Sequence, residues 1–195
     1  MIEDKDILES RAIIIALIKE GVIIKANTAF AGFFMKKSED ALTTAQLLHS
    51  LTKEQNTNFN IPKGYNPYSW IINSGYYSMF YAATSLLAHC GHRIKTNQGI
   101  HKITYNALVY YFLDNDKKLT KHILREYKKA EQDAENLLQI AEREARNRVE
   151  QVKHEIKKRE EFTYFMGMIA EEDKAITSIN RAKEFLTLVK ELTVS

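Results

Sequence analysis

Tyr68–Gly91 reads YSWIINSGYYSMFYAATSLLAHCG, and the fold is decided there. Ile72, Tyr76, Met79, Ala83, Leu86 and Cys90 recur at steps of four and three, the period of an α-helix. Tyr77, Phe80 and Leu87 add a second apolar line. A helix apolar over most of its circumference is covered on several sides, so this segment is expected at the centre of a bundle. Gly91 stands where its C-terminal stop is expected.

Outward from this segment the pattern stays helical. From Tyr68 to Ser195 there is no proline, and glycine occurs only at Gly75, Gly91, Gly99 and Gly167, so few residues break a helix. Lys5–Lys19 reads as an amphipathic helix with Ile7, Ile14, Leu17 and Ile18 inward, ended by Gly21. Ala29–Thr52 reads as a second helix through Phe34, Ala41, Ala45 and Leu48. Glu54–Pro67, with four asparagines, Gly64 and both prolines, reads as a loop. His92–Gly99 reads as a short basic loop, with Thr96 or Asn97 placed to cap a helix from about Gln98 to Leu113. Asp114, Asn115 and Asp116 read as a turn.

Lys117–Glu161 carries a narrow stripe through Leu119, Ile123, Tyr127, Ala130, Ala134 and Leu137 and on to Ile156. As one straight helix it would span roughly 67 Å, more than the bundle is wide. It must therefore project, break, fold back as a hairpin or pair with another copy. Its charges alternate in sign, which fits a solvated face or a partner-helix surface. Glu172–Leu192 reads as the closing helix, and no strand of period two is expected. The fold expected is all-α, an up-and-down helical bundle of about five to six helices, with one unusually long helix or helical hairpin. Residues 1–28 form a leader helix packed on the bundle, and residues 29–195 form the bundle with an extended section at about 125–158.

Composition narrows the functional classes. At 195 residues and 45% hydrophobic content the chain can bury one core. A single cysteine, Cys90, gives no internal disulfide framework and fits a reducing compartment. The polar start, Met1–Ser10, does not read as a signal peptide, and the apolar runs are far shorter than a membrane span, so the expected location is the cytoplasm. A net charge of +3 is too mild to argue for nucleic acid by itself. Its distribution says more. No acidic residue lies between Glu54 and Asp114, while Lys63, Arg93, Lys95, Lys102, three histidines and eight of the ten tyrosines do. Positive charge among aromatic rings suits a ligand made of phosphate and base. Buried inner helices also lack carboxylates, and that accounts for most of the stretch. It does not account for the basic cluster from His92 to Lys102.

Three segments in order carry a family resemblance: Phe33–Leu48, FFMKKSEDALTTAQLL; Ser74–Gly91, SGYYSMFYAATSLLAHCG; and Arg159–Val189, REEFTYFMGMIAEEDKAITSINRAKEFLTLV. Together they resemble the HEPN domain family, over roughly Ala29 to Leu192, with a nucleotidyltransferase substrate-binding-subunit-like bundle. The resemblance implies RNA or nucleotide binding, a homodimer, and the toxin-like half of a pair with a minimal nucleotidyltransferase. Where such domains cut RNA they are metal-independent endoribonucleases, with an arginine followed after four to six residues by a histidine. The chemistry is sound: imidazole titrates near neutrality and takes a ribose 2′-hydroxyl proton, and a guanidinium holds the phosphate.

This chain departs from that spacing. Seven residues separate Arg93 from His101, and Asn97 stands in Lys95–Gly99, KTNQG, where the family often has histidine. Asn97 cannot act as a base, and His101 lies one helical turn on. The catalytic candidates are Arg93 and His101, and the substrate-binding candidates are His92, Lys95, Asn97, Lys102 and Tyr105. The alternative is a non-catalytic dimerisation or protein-interaction module that has lost the active-site histidine, its basic loop only capping a helix. His89, Cys90 and His92 lie close together, but Cys90 continues the apolar stripe and no second pair exists, so neither a metal nor a cofactor is expected.

Overall fold

The computed structural model describes residues 2–53, 65–115, 118–153 and 161–194. The elements are α1 (Asp4–Lys19), β1 (Ile23–Lys25), α2 (Ala29–Lys53), α3 (Tyr68–His89), β2 (His92–Ile94), α4 (Ile100–Leu108), α5 (Lys121–Lys153) and α6 (Glu161–Val194). The chain is an all-α helical bundle, and no described helix is long and apolar enough to cross a membrane. Most of the loop expected at Glu54–Pro67 lies outside the described residues, as do Asp116 of the expected turn and Arg159, which opens the third quoted segment.

The centre is α3, as its two apolar lines require. Thirteen of its 22 residues are buried, and it touches α2, α4, α5, α6 and β2. Small residues bring its neighbours close. Ser38 Oγ of α2 donates to Ser78 O of α3 at 2.7 Å, and Ser85 Oγ of α3 donates to Ala31 O of α2 at 2.7 Å. On the α6 side, Ser178 Oγ donates to Ile72 O at 3.1 Å, beside Gly75, whose missing side chain makes room for it. Around this axis Met79, Leu86, Leu108, Phe112, Leu124 and Phe185 are almost fully buried. Each such side chain contributes about 1.5–3 kcal/mol relative to exposure.

α1 begins with a reciprocal cap between Glu3 and Asp6 and ends at Gly21, where φ is +70°. It packs on α4 and on the turn that follows α4. Of the long charged stretch, Lys121–Lys153 forms one helix, α5, and residues 154–160 lie outside the described residues. α5 runs 33 residues, about 50 Å, and α6 begins at Glu161, eleven residues before the start expected at Glu172. Tyr127 of α5 meets Phe185 of α6 at 5.4 Å, and Leu137 packs with Ala175 and Ile179, so the two helices run antiparallel.

Two local features differ from expectation. His92–Ile94 is not loop but strand, paired antiparallel with β1 through Ile23–Ile94, Ile24–Arg93 and Lys25–His92. Three residues per strand are too few for a period-two pattern to show in the sequence. α4 starts at Ile100 with Gly99 at its N-cap in the left-handed region, φ +64°. No side chain caps it; Thr96 Oγ1 instead accepts from Gln98 N at 3.1 Å in the preceding turn. Beyond Leu108 the helix widens into a π-turn, Val109–Asn115, that buries Val109 and Phe112.

Candidate functional site

Asn66 and Pro67 fix where α3 begins: Asn66 Oδ1 accepts from Tyr68 N at 3.0 Å, and Pro67 O accepts from Ile71 N at 3.0 Å. That start places Trp70, Asn73, Ser74, Tyr77 and Tyr81 on one stripe, at steps of three and four. The stripe is the one face of α3 not fully covered, with Trp70 66% and Tyr77 41% exposed. It forms a wall of a cavity of about 550 Å³. Ala41 and Thr44 of α2 close one side, Glu131, Ala134 and Glu135 of α5 another, and His101 enters from α4.

His101 is held from several directions. Its Nδ1 lies 2.7 Å from the hydroxyl of Tyr76. Its ring lies 4.4 Å from Phe80, 5.5 Å from Tyr76 and 6.0 Å from Tyr77, centre to centre. Burial lowers its pKa from the ordinary 6.5, against the opposing pull of Glu131 and Glu135. Burial, with Glu131 next, pushes the Tyr76 phenol far above its ordinary value, so it keeps its proton at all physiological pH. Tyr127, fully buried and edge-on to Tyr76 at 6.2 Å, backs the pair. The phenol keeps its proton but its oxygen also accepts, so the bond runs from Tyr76 O–H to Nδ1 or from Nδ1–H to the Tyr76 oxygen according to the imidazole tautomer. Nδ1 is engaged in either case.

Among the described residues no lysine or arginine lines this cavity. Glu131, 9% exposed, accepts from Lys128 Nζ at 2.6 Å, and Glu135 is exposed. The chemistry on offer is aromatic surface for a flat ring, and amide, hydroxyl, carboxylate and imidazole groups for its polar edge.

The remaining sequence candidates fall elsewhere. Arg93 is exposed on β2, its guanidinium 4.5 Å from the centre of the Phe30 ring, and it does not line the cavity of His101. His92 stacks on Tyr111 at 3.9 Å. Lys95 and Asn97 are exposed; the backbone N–H of Lys95 donates to Val22 O at 2.8 Å. Lys102 and Tyr105 line a second cavity, on another side of α4. The candidates therefore divide between an exposed strand and turn and two separate cavities.

Sequence reasoning missed Tyr76, Trp70, Glu131 and Glu135. Tyr76 read as one more residue of the apolar stripe, and the carboxylates read as part of a solvated face. Asn73, Ser74 and Tyr77 at helical spacing beside an exposed Trp70 were the available signal. Among the described residues no group of three histidine, cysteine or acidic side chains could hold a metal ion. Comparison with protein-family models, with curated proteins and with solved structures finds no match for this chain.

Proposed function

We propose that this chain is a HEPN-type protein whose cavity between α2, α3, α4 and α5 takes the base of a nucleotide or of single-stranded RNA. One observation carries the reading: the Tyr76–His101 pair lies in a cavity of about 550 Å³ walled by Trp70, Tyr77 and Tyr81. Stacking a base on such rings contributes about 1–3 kcal/mol per base. Asn73, Glu131 and the imidazole supply partners for the base's polar edge. The homodimer and the nucleotidyltransferase partner belong to this proposal through the family resemblance.

The same lining favours binding over cutting. Strand cleavage needs a free base at the 2′-hydroxyl and positive charge at the phosphate. Among the described residues no lysine or arginine lines the cavity, and Arg93 rests on Phe30. Endoribonuclease action by Arg93 and His101 would need a second copy to bring its own cation to the cavity. A non-catalytic interaction module is the second reading, favoured by α5, which at 33 residues is far longer than α4 and carries alternating charge.

Trp70 is the single tryptophan of the chain and lines the cavity, so its fluorescence reports on the site directly. Saturable quenching by nucleosides, by mononucleotides or by a short single-stranded RNA is expected, and Tyr77→Ala is expected to weaken it by about tenfold. If none of these ligands changes the emission, the binding reading fails. Cleavage of RNA by the wild type that disappears in His101→Ala and Arg93→Ala would replace it with the enzyme reading.

A further inference from the structure

The polar lining of the His101 cavity is one-sided in charge. Glu131 and Glu135 stand one turn apart on α5, and Trp70, Asn73 and Tyr77 line the same space from α3. Both carboxylates act electrostatically on Tyr76 and on His101, so their charge reaches the middle of the site.

The two acids are committed differently. Glu131 is mostly covered, and its Oε2 accepts from Lys128 Nζ at 2.6 Å. Glu135 is exposed and has no hydrogen-bond or ion-pair partner among the described residues. Its two oxygens are therefore available to a ligand. Asn73 is half-buried, and its amide also lacks a partner among the described residues while keeping contact with solvent.

A carboxylate only accepts, so it reads a base by the donors on its polar edge. Guanine presents two neighbouring donors, N1–H and the N2 amino group, which match the two oxygens of one carboxylate. Beside them its O6 accepts from an amide N–H. Adenine and cytosine present one amino group next to a ring-nitrogen acceptor, which sets a lone pair against the second oxygen. Uracil presents a single N–H between two carbonyls and meets the carboxylate with more repulsion still. Such a site selects by what it repels as well as by what it holds.

We infer that this cavity selects guanine: the base lies against the exposed rings of Trp70 and Tyr77, Glu135 accepts from N1–H and from the N2 amino group, and Asn73 donates to O6. Glu131 beside them adds to the negative field. The inference rests on the base-binding reading above and names the base.

The test is quenching of Trp70 in the whole chain by guanosine, inosine, adenosine, cytidine and uridine, read as dissociation constants. Guanosine is expected to bind about tenfold more tightly than adenosine, cytidine or uridine, and more tightly than inosine, which lacks the N2 amino group. Glu135→Gln, an exposed change, turns one acceptor into a donor that faces the donors of guanine. It is expected to bring guanosine to within about threefold of the other nucleosides. Adenosine binding is retained in that variant, which separates lost recognition from a lost fold. Equal constants for the five nucleosides in the wild type, or a guanosine preference that survives Glu135→Gln, overturn the inference and leave the base-binding reading in place. No quenching by any nucleoside also overturns it, and the base-binding reading falls with it only when mononucleotides and a short single-stranded RNA fail as well.

Discussion

Gly75 is the residue at which the closest helix crossing is set. A Cβ there would run into Ser178 Oγ and would stand 3.1 Å from Ser178 O. Gly75→Ala is therefore expected to lower stability by about 1–3 kcal/mol, read by chemical denaturation, although alanine is the better helix former. The double variant Gly75→Ala with Ser178→Ala recovers only part of the loss, because the backbone oxygen stays in place. His101 gives a pH signature. Its pKa is lowered in the folded state by burial, so its contribution to stability is fully present above the ordinary value of 6.5. Below that value the unfolded chain takes up the proton first, and stability falls as pH drops toward the folded-state pKa. Melting temperatures followed from pH 8 to pH 5 are expected to fall less steeply in His101→Gln than in the wild type; parallel curves would show that His101 is not the group responsible.

At the scale of elements, Arg181 fastens the α5–α6 hairpin. Its Nε donates to Glu126 and its Nη1 to Asp133, each at 2.8 Å, with the arginine side chain only 14% exposed. Burial pushes the Glu126 carboxyl up, but Lys129 and Arg181 outweigh it and hold the group below its usual range. Among the described residues, removing the guanidinium leaves Asp133 without this partner and Glu126 with Lys129 alone. Arg181→Ala is expected to cost about 2 kcal/mol, and Arg181→Lys to restore less than half of that, because one ammonium cannot fork to two carboxylates two turns apart on α5. Denaturant midpoints of the two variants check both statements. The hairpin was only partly legible beforehand. The stripe through Tyr127, Ala130 and Ala134 marked a buried face, but a stripe does not say whether its cover is a neighbour in sequence or a second molecule.

On the scale of the whole molecule, the two cavities differ in charge although they share a wall. Lys128 lines one and Glu131 the other, and the two are joined by an ion pair of 2.6 Å. The first cavity offers aromatic rings and carboxylates, and the second mixes Lys102, Arg125 and Lys128 with Asp6 and Glu9. Nucleoside quenching of Trp70 is expected to change less than about twofold between roughly 50 and 200 mM salt, since no phosphate is neutralised there. A steep salt dependence of the Trp70 signal would mean that cationic side chains, and not rings, hold the ligand.

The sequence by itself determined the helical class, the central place of α3 and most of its buried residues, because both depend on a local period that the side chains carry. Ile72, Met79, Ala83 and Leu86 could be assigned to the core from spacing alone, and they are buried. Tertiary structure decided which residues meet. Tyr76 and His101 are 25 positions apart and Glu131 is 30 further on, and no local pattern links them. Proximity in sequence also misled: Arg93 and His101 share a short segment, yet a left-handed glycine between strand and helix sends one to a strand surface and the other into a cavity. Chain direction at such a turn is set by one backbone torsion, and the site follows from it.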